Sequence, residues 1–82
     1  MKKIIIPVDE DHRILQIGNK LYPQWKGLIR WRYYKFIDYC QDFKYTAEGY
    51  FTTKEEREEE IESIKTMFPI YDEARIEHGG IL

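Results

Sequence analysis

Asp9, Glu10, Asp11 and His12 stand side by side, offering three carboxylates and an imidazole of the kind that bind metal ions. Adjacent residues in a tight turn rarely converge on one ion, and no calcium-loop spacing follows them, so they read as a polar turn. Cys40 is the single cysteine, with no histidine or other base near it in sequence and no nucleophile motif around it. One cysteine excludes an internal disulfide, and the absence of a CxxC pair or of clustered histidines excludes the usual zinc spacings. His78, beside Gly79-Gly80, reads as part of the tail. The expectation is a non-enzymatic chain with no catalytic residues, no metal and no cofactor.

Binding chemistry is better represented. Between Lys20 and Lys35 there are five basic residues, Lys20, Lys26, Arg30, Arg32 and Lys35, and no acid. They are interleaved with Tyr22, Trp25, Trp31 and Tyr34, so one stretch supplies cations for phosphate and flat rings for stacking. The same pattern also describes a sheet with a solvated polar face and aromatics in its core. The wider charge layout is dipolar. Residues 1 to 47 carry nine Lys/Arg against five Asp/Glu, a net of +4, whereas residues 48 to 82 carry four against ten, a net of −6. Within the acidic half, Glu55, Glu58, Glu59 and Glu62 suit a basic protein partner, or else form a solvated helix face. Like charges there face one another at i,i+4, which costs a few tenths of a kcal/mol each and points mildly to a partner.

Eighty-two residues with 43% apolar and 16% aromatic content suffice for one small domain, burying about two thirds of the surface of the unfolded chain. The N-terminal MKKIIIPVDED has too short an apolar run for a signal peptide or a membrane span. A cytoplasmic protein with no membrane association is the expectation.

The elements that position these residues follow from the pattern. KKIIIPVDEDHRILQI predicts a hairpin turning at Asp9 to His12, with Pro7 at an edge or a strand end. GNKLYPQWKG reads as a loop or short turn, broken by Gly18-Asn19 and Pro23. Residues 28 to 39 fit either a helical stripe or an alternating strand, and their Trp, Tyr, Phe and Ile content favours the strand. That strand sends Ile29, Trp31 and Tyr33 to the core and Arg30 and Arg32 outward. CQDF reads as a turn and FKYTAEGYF as a further strand. Thr53, followed three residues later by Glu56, is a capping box that predicts a helix from about 54 to 68, with Ile61, Ile64, Met67 and Phe68 as its apolar stripe and Pro69 at its end. The remainder reads as a loop, with a short strand around Ala74 to Glu77.

The segment Gly49-x-Phe51-x-Thr53-x-Glu55-Glu56, with Arg30-Trp31-Arg32-Tyr33 and Lys26-Gly27-Leu28 upstream, resembles the APETALA-type DNA-binding domain and the arm-type DNA-binding domains of tyrosine recombinases. The resemblance covers residues 26 to 68. It implies a three-stranded antiparallel sheet with a helix on one face and DNA on the other, contacted by Arg30, Arg32 and Lys44, with Trp31 packing or touching backbone. The chain departs from the pattern in the short interval from Gly27 to Trp31, in the acidic rather than alanine-rich helix, and in residues 1 to 20, which have no counterpart. The combined expectation is an α+β fold, a small antiparallel sheet with an N-terminal hairpin and one C-terminal helix packed across it. Its basic sheet face is expected to bind nucleic acid, with DNA as the expected form, through Lys26, Arg30, Arg32, Tyr34, Lys35 and Lys44. The alternative is a small protein-binding accessory or inhibitor of the kind mobile elements encode, acting through the acidic helix face or exposed aromatics.

Overall fold

The computed structural model describes residues 2–38 and 43–78, with the backbone alone for 37, 38, 43–45, 77 and 78. Among the described residues seven strands precede one helix: β1 Lys3–Pro7, β2 His12–Ile17, β3 Lys20–Lys26, β4 Trp31–Tyr33, β5 Lys35–Asp38, β6 Phe43–Thr46, β7 Gly49–Tyr50 and α1 Lys54–His78. Strands β1 to β4 lie in sequence order in one antiparallel sheet, which β7 completes by pairing with β3, while β5 and β6 form a separate antiparallel pair. The N-terminal hairpin forms as its pattern predicts, and β1 is an edge strand that stops at Pro7.

The stretch GNKLYPQWKG is the main departure from the sequence reading. It is not a loop but contains the turn into β3, the strand that pairs with β2 on one side and with β4 and β7 on the other. Gly18 and Asn19 are the two-residue turn of a tight β2–β3 hairpin, and Gly18 takes the left-handed conformation at φ 61° that this turn needs. Pro23 is fully buried in β3. On the outer edge of β3, β4 pairs with residues 24 to 26 and β7 with 20 and 21, so Pro23 lies in the gap between them. A residue without an N–H breaks no ladder on that side.

Residues 28 to 39 are also not one strand. The extended run is interrupted at Tyr34, between β4 and β5, and the Tyr34 carbonyl accepts from the Ala47 N–H at 3.0 Å. The interruption turns Tyr34 into the core. FKYTAEGYF likewise divides into β6 and β7 around Ala47-Glu48. The turn expected at Cys40, Gln41 and Asp42, and the Gly79-Gly80 tail, lie outside the described residues.

Helix α1 begins where the capping box predicts. The Glu56 N–H donates to Thr53 Oγ1 at 3.1 Å, and the Glu56 carboxylate reaches back to accept from the Thr52 N–H at 2.8 Å and the Thr52 hydroxyl at 2.7 Å. The return contact thus falls one residue before the position that the simplest box uses. Those Thr52 donors hold the Glu56 carboxyl below its ordinary pKa. The helix packs Ile61, Ile64 and Phe68 onto Ile14, Leu21, Tyr34 and Ala47 to make the core. Gly49 is buried beneath it, and a Cβ there would lie 2.5 Å from Glu60 Oε1, so the missing side chain makes room for the helix's own carboxylate.

The helix does not end at Pro69. It continues to His78, and the expected loop and short strand are its last turns. Proline inside a helix removes one backbone hydrogen bond and costs about 3 kcal/mol. Contacts made by Tyr71, Asp72 and Arg75 beyond the proline offset this cost, as described below. Among the described residues, no helix is long and apolar enough to cross a membrane.

Replacing Thr53 with alanine is expected to lower the unfolding free energy by about 1 kcal/mol, read from urea denaturation. A loss below about 0.3 kcal/mol would show that the helix start does not depend on this cap.

Candidate nucleic-acid interface

Side chains alternate across a strand, and directly paired residues share a face, so the register sorts every sheet position. One face carries Ile4, Ile6, His12, Ile14, Gln16, Leu21, Pro23, Trp25, Arg32 and Gly49, and the core cluster shows that α1 covers it. The opposite face carries Lys3, Ile5 and Pro7 from β1, Arg13, Leu15 and Ile17 from β2, and Lys20, Tyr22, Gln24 and Lys26 from β3. Trp31 and Tyr33 of β4 and Tyr50 of β7 complete it.

This assignment inverts the parity expected for β4. Trp31 and Tyr33 are half-buried on the helix-free face, and Arg32 is on the helix side, where its guanidinium lies 5.6 Å from the Trp25 ring centroid. Ile29, expected in the core, is exposed in the turn between β3 and β4 together with Leu28 and Arg30. The cause is the register: Lys26 pairs with Trp31, and Lys26 shares its face with Gln24 and Tyr22 rather than with the core residues Leu21 and Pro23.

Tyr34 also departs from expectation. Expected on the contact surface, it is 1% exposed, packs its ring beside Phe68 and Tyr71, and donates its hydroxyl hydrogen to Asp72 Oδ1 at 2.6 Å. Of the other expected contacts, Lys26 is exposed on the helix-free face, Arg30 is exposed at the tip of the adjoining turn, and Lys35 is exposed on β5. Lys44 belongs to β6, and its side chain lies outside the described residues.

The helix-free face has its own organisation. Arg13 lies over Trp31 with its guanidinium carbon 4.5 Å from the ring centroid, and Arg13 Nε also donates to Gln24 Oε1 at 2.7 Å. Tyr22 and Tyr33 meet edge to face at 5.8 Å, and Lys20 sits 5.3 Å from the Tyr50 centroid. Rings therefore occupy the β3, β4 and β7 side of the face, with Lys20 and Lys26 at the two ends of β3. No strand position on this face carries an acid among the described residues. Glu48, from the loop between β6 and β7, interacts electrostatically with Tyr22 and Lys20 at one end. The carboxylates Glu55, Glu58, Glu59 and Glu62 are all exposed on α1, across the sheet from this face. Glu58 pairs with Arg57 at 3.1 Å and Glu62 with Lys65 at 3.3 Å.

What orients the two faces is a polar cluster that the sequence reading missed. Asp72, past Pro69 on α1, accepts at Oδ2 from His12 Nε2 at 2.7 Å and at Oδ1 from the Tyr34 hydroxyl. Arg75 Nε lies 3.9 Å from Asp72 Oδ1, and the Arg75 guanidinium carbon stands 3.9 Å from the Trp25 ring centroid. The second His12 nitrogen, Nδ1, lies 2.8 Å from Asp9 Oδ1, which also accepts the Asp11 N–H at 2.8 Å. Asp9 is thus a turn former, as its position predicts, and the Asp11 N–H and His12 hold its carboxyl below the ordinary pKa. Burial, with the Asp72 carboxylate beside it, pushes the Tyr34 phenol well above the usual tyrosine range. Both imidazole nitrogens are committed to carboxylates, so His12 has no free nitrogen with which to act as an acid or base on a ligand. The signal available in sequence was the run Tyr71, Asp72, Arg75 on the face that continues Ile61, Ile64 and Phe68, but it is visible only if the helix is carried through the proline.

Comparison with protein-family models, with curated proteins and with solved structures finds no match.

The His12 geometry has a consequence for pH. A neutral imidazole has a single N–H, so both carboxylate contacts are satisfied together only by imidazolium. Burial lowers the His12 pKa, but the bonds and charges of Asp72 and Asp9 outweigh it, and the net displacement is upward from 6.5. Arg75 and Tyr34 are the other ionisable groups gathered at Asp72. A folded-state pKa raised above the unfolded one contributes stability that is complete below the unfolded value and is lost as pH rises through the folded value. The urea midpoint of the wild type is therefore expected to fall as pH is raised from 6.5 through the elevated His12 value, and His12→Gln is expected to abolish that segment of the profile. Parallel profiles for the two proteins would exclude His12 as the group responsible.

Proposed function

We propose that this chain is a non-enzymatic nucleic-acid-binding domain that uses the helix-free face of its antiparallel sheet. The observation that carries the reading is the segregation of charge. Lys3, Arg13, Lys20 and Lys26 share a face with Tyr22, Trp31, Tyr33 and Tyr50, while the acidic helix is on the other side of the sheet. A net charge of −2 would repel phosphate if it were spread evenly. Placed behind the sheet, the acid is separated from a ligand on the front by a distance comparable to the Debye length of about 8 Å at physiological salt. Four cations with no strand carboxylate among them then meet the ligand first. DNA is the expected form, and Lys26 and Arg30 are retained from the contacts inferred from sequence, with Arg13 and Lys20 added.

A second reading, a protein partner, is favoured by the turn between β3 and β4. Leu28 and Ile29 are fully exposed there beside a cleft of about 410 Å³ lined also by Trp25, Gly27, Arg30 and Arg32. In this reading the acidic helix residues Glu55, Glu58, Glu59 and Glu62 form a further contact surface for a basic protein.

Fluorescence anisotropy with labelled duplex and single-stranded oligonucleotides separates the two. Nucleic-acid binding predicts that Lys20→Gln and Lys26→Gln each weaken affinity for every sequence tested and each lower the slope of log affinity against log salt by about one unit. Melting temperature should hardly change, because exposed charges contribute little to stability. Absence of binding to any oligonucleotide at low salt would overturn this reading in favour of the protein partner.

A further inference from the structure

The arrangement of rings and cations on the helix-free face also bears on the form of nucleic acid, and this step rests on the nucleic-acid reading above. We infer that the ligand is a single strand, held by stacking its bases on the aromatic row of Trp31, Tyr33 and Tyr22 while Lys20, Lys26 and Arg13 take its phosphates.

Consider what each form of nucleic acid exposes. A duplex presents phosphates on its outside and keeps the faces of its bases inside the stack, so it offers cations a partner and offers flat rings nothing to stack on. A single strand exposes both at once, and any base has a face to stack. On this sheet Tyr22 lies between Lys20 and Lys26 along β3, and Trp31 and Tyr33 flank it on the edge strand β4, an order that an extended strand can follow from one lysine to the other. From Lys26 to Lys20 the strand rises about 20 Å at ~3.3 Å per residue, room for the two or three bases that comparable sheet surfaces stack.

The duplex mode implied by the sequence resemblance needs Arg30, Trp31 and Arg32 on one continuous contact strand, with the arginines projecting from the outer face. Here Arg32 is on the helix side of the sheet beside Trp25, and Arg30 is in a turn. What remains on the outer face is the Trp31 ring, half-buried, with Arg13 already stacked on it at 4.5 Å. Arg13 is tied to Gln24, which is 3% exposed, so the guanidinium and ring form a fixed ledge rather than a pair of mobile side chains. A ledge held in advance loses less entropy when a base is added to it. The edge-to-face Tyr22 and Tyr33 pair continues it along the face.

The test uses the full chain and three labelled probes, a short oligothymidylate, the matching oligouridylate, and a mixed-sequence duplex of equal length, compared by anisotropy at low and physiological salt. The single strands should bind at least about tenfold more tightly than the duplex, and Trp31→Ala and Tyr33→Ala should each cost about five- to 150-fold in single-strand affinity. Trp31→Phe keeps a ring and should retain most of it, which separates loss of stacking from loss of folding, and thermal melting of each variant is the accompanying control. Similar affinity for the two strands supports stacking without sugar readout, while a preference for one identifies DNA or RNA as the source. Duplex binding equal to or tighter than single-strand binding would overturn this inference and leave the broader nucleic-acid reading standing. Single-strand binding unaffected by both alanine variants in folded protein would also overturn it. Failure of all three probes to bind would overturn the nucleic-acid reading itself.

Discussion

The carboxylate of Asp72 is the constraint on which the arrangement depends. It lies three residues beyond a proline, in a part of the helix that the backbone alone has reason to abandon, and it joins three separate parts of the chain. Through His12 it holds the start of β2, through Tyr34 it holds the break between β4 and β5, and it keeps Arg75 beside Trp25 at the far end of β3. A carboxylate with two short bonds to partly buried donors is worth more than a surface pair, because removing any one partner leaves another polar group unsatisfied in the interior. The same group explains why Tyr34 leaves the surface. Its ring fills the core between Phe68 and Tyr71 only because its hydroxyl has somewhere to donate.

Keeping the whole helix against one side of the sheet has an electrostatic consequence. The helix carries the excess of acid, and by packing on one face it leaves the other with lysines, an arginine and aromatic rings. A chain whose total charge is slightly negative thus has a front and a back of opposite sign. Net charge and pI describe the average and say nothing about this division, which is why a composition-level argument against an anionic ligand carries little weight here.

A sheet with one covered face would ordinarily have a polar open face, and this one does not. Leu15 and Gln24 on the open side are as buried as core residues, shielded by their neighbours on that face, and Ile5 and Tyr50 are more than half exposed. Aromatic and aliphatic surface of this kind costs solubility unless it has a use. The cations placed around it give the same face a positive charge.

Read from the chain alone, the hairpin at Asp9 to His12, the edge position of Pro7, the α+β class and the Thr53 start of the helix were all determined, because each depends on contacts within a few residues: a side chain folding onto its own turn, a missing N–H, a hydroxyl meeting the third amide after it. The Gly18-Asn19 pair was legible as a two-residue hairpin turn and was obscured by Pro23, whose effect depends on what lies along the other edge of β3, a long-range fact. The end of the helix was hidden for the same reason. Proline is a local reason to stop, and the reasons to continue are residues that meet Asp72 from 38 and 60 positions away. The parity of β4 was the furthest from reach, since alternation along Leu28 to Tyr34 is consistent with either facing, and only pairing of Trp31 with Lys26 on β3 selects one. Local chemistry therefore decided which elements form and where they start. The tertiary structure decided which side of the sheet each aromatic and each arginine would occupy, because facing is a property of the strand's partner and not of the strand.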